Sequence, residues 1–95
     1  MQFIALARRR TEAFAEAEFA PLLEIEAERV RQLYEEGRLR AAWSREDVPG
    51  GVLLLECEDA SEAGAVVASL PLHQRGMLEV LLIPVKGYRG FGPRG

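Results

Sequence analysis

Between residues 19 and 37 the chain reads FAPLLEIEAERVRQLYEEG, an amphipathic pattern with one residue out of place. At about 100° per residue, Phe19, Leu22, Leu23, Val30, Leu33 and Tyr34 fall on one face of a helix, and Glu24, Glu28, Arg31 and Glu35 on the other. Glu26 breaks the segregation. It projects into the apolar stripe, between Leu22 and Leu23 one turn before it and Val30 one turn after it. A carboxylate there loses hydration unless it finds a partner, and desolvation lifts its pKa toward the range useful for proton transfer. The helix stops at Gly37, which follows the last periodic residue as a terminating glycine should. Pro21 requires that it begin near Ala20 or bend there.

The segments around this helix read as strands and one further helix. Residues 2–7 (QFIALA) form a short apolar run suited to a buried strand, and residues 8–16 connect it to the helix, with Phe14 packing back on the core. From Arg38 to Arg45 the period changes to two, with Leu39, Ala41 and Trp43 on one side and Arg38, Arg40 and Ser44 on the other. The DVPGG turn at residues 47–51 leads into a third strand over residues 52–58. A second helix is expected over residues 61–70, capped by Asp59 or Ser61 and broken by Pro71. A fourth strand runs over residues 77–85, where Pro84 requires an edge or a bulge.

Strand, helix, strand, strand, helix, strand is the α+β order called ferredoxin-like, βαββαβ, with a four-stranded antiparallel sheet and both helices on one face. Residues 1–86 form this single domain, and residues 87–95 are a glycine-rich tail in which Tyr88 and Phe91 could lie against a neighbouring subunit. The other face of the sheet keeps enough apolar side chains to need cover. A chain of 95 residues buries a limited share of its surface alone, so a homodimer packed sheet to sheet is expected.

Charge and cysteine content narrow the function classes. A net charge of -3 and a single basic run, Arg8 to Arg10, give no footprint for nucleic acid. One cysteine, Cys57, forms no disulfide framework within the chain and fits a reducing, cytoplasmic setting. No uncharged run approaches the roughly 20 residues of a membrane span. Cys57 has no base beside it in sequence and reads as an inert buried thiol.

Three stretches resemble the muconolactone isomerase family: EAERVRQLYEEG with Glu26 upstream, the Gly37-Arg38-Leu39-Arg40 entrance to a strand that reaches Trp43, and LPLHQRGMLEVLLIPV after the second helix. Members of that family are small ferredoxin-like subunits that pair as dimeric α+β barrels. The resemblance implies a shift of a carbon–carbon double bond in a small unsaturated lactone, without metal or organic cofactor. One carboxylate can remove and return the proton if its pKa is raised, and the enolate oxygen needs a donor or a cation. On this reading Glu26 is the base, Arg40 the oxyanion partner, and His73 an auxiliary acid or a binding group. His73 stands where the family carries aromatic residues, so the substrate pocket is expected to differ. The competing reading for Glu26 is an ion pair with Arg29 or Arg40, in a ligand-binding or structural oligomer. A cofactor-independent monooxygenase on the same barrel is the other alternative.

Overall fold

The structure is a computed structural model, and it describes residues 1–92. Residues 93–95, the end of the glycine-rich tail, lie outside the described residues. Strand β1 (Gln2–Arg9) buries Phe3, Ala5 and Ala7 and leaves Gln2, Ile4 and Leu6 half-buried on its other side. It pairs antiparallel with β3 (Gly50–Glu56) and with β4 (Leu78–Val85). The strand β2 (Leu39–Ser44) joins the far side of β3, giving the sheet order β2-β3-β1-β4. This is the antiparallel ferredoxin-like sheet. Pro84 sits in β4, an edge strand, where a missing N–H is tolerated.

The long helix bends at its proline. A short α1 (Glu16–Phe19) passes through a 3₁₀ turn (Ala20–Leu22) containing Pro21 into α2 (Leu23–Glu35), and Gly37 follows with a φ of 79°. A side chain at that φ would be strained, which is why glycine ends the helix. After β3, Asp59 caps α3 (Ala60–Ala68) by accepting the Glu62 N–H at 2.9 Å. Pro71 both breaks that helix, as the sequence predicts, and opens another, the single turn α4 (Pro71–Gln74).

Two apolar clusters hold the layers together. Phe3, Ala5, Leu53 and Leu55 of the sheet meet Leu33 of α2 and Val66 of α3. Phe19, Leu22, Leu72 and Met77 join the α1 elbow to α4, with Phe14 packed against them. Tyr34, expected in the apolar stripe, is instead 64% exposed. In β2 the alternation slips once: the register shifts between Leu39 and Ala41, so Leu39 pairs with Leu55 on the helix side while Trp43 pairs with Val52 on the open side. Leu39 is accordingly 3% exposed and Trp43 55%. A one-residue bulge reverses every side chain beyond it.

The open face is apolar at its centre. Ile4 and Leu6 of β1 stand beside Leu54 and Val52 of β3 and beside Ile83 and Leu81 of β4. Ion pairs border it, Arg8 to Glu79 at 3.1 Å towards one end and Arg40 to Glu56 at 3.8 Å towards the other. Among the described residues no helix is long and apolar enough to cross a membrane.

Candidate active site

Glu26 lies in the first turn of α2, on the side of the helix that faces α4. Its Oε1 accepts the backbone N–H of Leu72 at 2.9 Å, a bond joining residues 46 apart in sequence. The donor is in the first turn of α4, where N–H groups have no partner within their own helix. The carboxylate therefore also caps α4. Burial pushes the Glu26 carboxyl above its ordinary range, while the Leu72 N–H and the positive charges of Arg9 and His73 act the other way. Among the described residues it forms no ion pair.

A cavity of about 260 Å³ opens beside this carboxylate, between the helices and the sheet. Its walls include Val30, Leu53, Leu70, Leu72 and Leu78, and the polar side chains reaching it include Glu26 and Arg9. Gly50 and Gly51 form another part of its lining. A Cβ at Gly50 would overlap the Ala7 carbonyl and press on the Arg8 backbone, so only glycine lets β3 start this close to β1. Gly50→Ala should therefore part the two strands at the cavity's edge. Overpacking of this kind costs about 1–3 kcal/mol, a loss that urea unfolding measures.

The three residues singled out from sequence are not all brought together. Glu26 is at the cavity. His73 follows Leu72 in α4, half-buried, near enough for its charge to act on Glu26, but it is not part of the cavity wall. Arg40 is at the bulge of β2, exposed and paired with Glu56, and does not line the cavity. Arg29, the other proposed partner of Glu26, donates instead to Ser69 Oγ at 3.0 Å. The guanidinium that shares the cavity is that of Arg9. It lies over the Phe19 ring, 5.8 Å from the centroid.

Arg9 was missed because the first strand was ended at Ala7. The alternation Phe3, Ala5, Ala7 continues for two residues and carries Arg9 to the helix side of the sheet. Cys57 is buried just beyond β3, and burial pushes its thiol up, which fits an inert role. Among the described residues no cluster of three or more His, Cys, Asp or Glu side chains is arranged to hold a metal ion.

A family profile described as muconolactone delta-isomerase matches residues 1–88. The chain belongs to the muconolactone delta-isomerase family. The match takes in the opening strand and the connection after it, beyond the stretches in which sequence reading found the likeness. Among solved structures, the fold is similar to 5-chloro-2-hydroxyhydroquinone dehydrochlorinase from Burkholderia phenoliruptrix AC1100, determined in complex with 2,5-dihydroxybenzoquinone. The TM-score is 0.77 at 14% identity, covering 95% of this chain and 98% of that one. At that identity the likeness is one of fold. No curated protein matches the chain.

Proposed function

We propose that this member of the family catalyses a cofactor-free proton shift in a small unsaturated lactone or related carbonyl compound, with Glu26 as the base that removes the proton and returns it. One observation carries the reading: a half-buried carboxylate, held by a single backbone N–H and by no ion pair among the described residues, beside an apolar cavity. A carboxylate kept for structure alone gains most from a cation within bonding distance. One whose pKa burial raises, and which faces a largely apolar cavity, is suited to take up and return a proton.

In a butenolide the proton leaves the carbon conjugated with the lactone carbonyl, and its electron pair spreads to the carbonyl oxygen. The proton then returns at the carbon next to the carbonyl, moving the double bond and restoring the carboxylate. A cavity of about 260 Å³ is small for a ligand site and suits a substrate of one ring. His73 supports the base by favouring its ionised form when protonated. Removal of hydrogen chloride from an oxygenated ring also begins with a base, so a substrate of the dehydrochlorinase kind suits the same carboxylate.

The working unit in this reading is a homodimer formed across the open sheet face. An apolar centre bordered by ion pairs is the arrangement that protein interfaces use. The catalytic reading is tested by incubating the protein with 2(5H)-furanone in deuterium oxide and following loss of ring proton signals by NMR. Enzyme-dependent exchange is expected. Exchange no faster than in buffer, across a series of small butenolides, removes the isomerase reading.

A further inference from the structure

We infer that Arg9 touches the substrate, its guanidinium receiving the oxygen on which negative charge develops when Glu26 takes up a proton. The inference rests on Glu26 being the base and deepens that reading by naming the second group of the reaction. Arg9 and Glu26 reach the same cavity from opposite layers, one from the end of β1 and the other from α2. No ion pair closes between them. Seven other arginines, from Arg8 to Arg45, pair with an acid, whereas among the described residues Arg9's side chain makes neither an ion pair nor a hydrogen bond.

Its backbone, by contrast, is fixed. The Arg9 N–H donates to the Pro49 carbonyl at 2.9 Å, and its own carbonyl accepts from the Thr11 N–H at 2.9 Å and from the Arg8 guanidinium at 3.1 Å. The side chain lies over Phe19, which is fully buried. A guanidinium held over a ring by a cation–π contact keeps N–H donors available, and this one is at the wall of a mostly apolar cavity. Such a group is suited to an oxygen anion. In the step itself a C–H bond breaks, the proton goes to the Glu26 carboxylate, and the electron pair moves to the carbonyl oxygen, where Arg9 meets it. The reverse flow forms the new C–H bond and returns Glu26 to its ionised state.

Tetronic acid, a five-membered lactone whose ring enol is ionised at neutral pH, imitates the charged intermediate, and neutral 2(5H)-furanone imitates the substrate ring. Calorimetric titration of both into wild type, Arg9→Met, Arg9→Lys and Glu26→Gln separates the possibilities. Wild type should prefer tetronate. Arg9→Met, which keeps the stem on Phe19, should weaken tetronate at least tenfold and change furanone binding less than twofold, with Arg9→Lys between. Glu26→Gln should bind tetronate at least as tightly as wild type, because a like charge is gone. Tetronate binding unchanged in both Arg9 variants, or no preference for tetronate in wild type, overturns the inference. If tetronate binding depends on Arg9 but Glu26→Gln exchanges furanone protons at the wild-type rate, the base assignment falls and the anion site stands.

Discussion

Glu26→Gln should lower proton exchange or isomerisation at least about a hundredfold while leaving the protein as stable as wild type, or more so, at neutral pH. The two halves of this expectation come from one observation. Burial raises the Glu26 pKa in the folded chain above its ordinary value in the unfolded one. Between those two values the native state holds the extra proton, so stability is highest below the unfolded pKa. It falls as pH rises through the window and stays reduced above it. A glutamine carries no charge to desolvate, and its amide oxygen can still accept the Leu72 N–H that fixes α4. Urea unfolding across pH 4 to 8 should show a flatter curve for the variant than for wild type. Activity runs the opposite way, because the base works only when ionised. The acidic limb of the wild-type rate profile should therefore lie above the ordinary carboxylate range. An unimpaired variant would remove Glu26 from the mechanism, and a variant that is inactive because it unfolds would show its role to be the cap on α4.

Much of this site could be read from the residues, and the parts that could not have identifiable causes. Glu26 was visible because helical periodicity is local: a charge at an apolar phase stands out against Leu22, Leu23 and Val30 without knowledge of the fold. Its partner was not visible, since the Leu72 N–H comes from a one-turn helix 46 residues away whose existence depends on Pro71 starting a helix as well as ending one. The strand order and the apolar open face followed from period-two patterns and turn residues. Arg40 lies across the strand from Leu39, as alternation has it, but that side is the open face, away from the cavity. Trp43 departs from the alternation, because the bulge between Leu39 and Ala41 arises from backbone pairing with β3, which no residue type there announces. Arg9 was lost through a strand boundary drawn two residues early, at the point where arginines replace apolar residues. The ends of elements are where sequence pattern says least, and Arg9, the arginine that lines the cavity, sits at one.

In the proposed homodimer, Leu81→Lys should separate the subunits without unfolding them. In the single chain Leu81 is 58% exposed on the edge strand β4, so a lysine there projects into water and costs the fold little. Packed sheet to sheet, the same position faces the partner's apolar strands, and the two-fold arrangement buries two unpaired ammonium groups per dimer. At about 2 to 3 kcal/mol for each, the dimer's dissociation constant should rise at least about a thousandfold, since 1.4 kcal/mol is a factor of ten. The face available is of the right character: Ile4, Leu6, Leu54, Leu81 and Ile83 lie side by side across three strands, and Trp43 extends it on β2. Ion pairs at its margins leave the centre as the part that a second copy must dehydrate. The substitution also leaves the candidate site alone, because Glu26 and Arg9 are on the helix side of the sheet. Sedimentation velocity over a range of concentrations reads the outcome, with circular dichroism to confirm that the subunit stays folded. A Leu81→Lys protein that sediments as wild type does would place the subunit contact elsewhere, and the apolar face would then need another occupant.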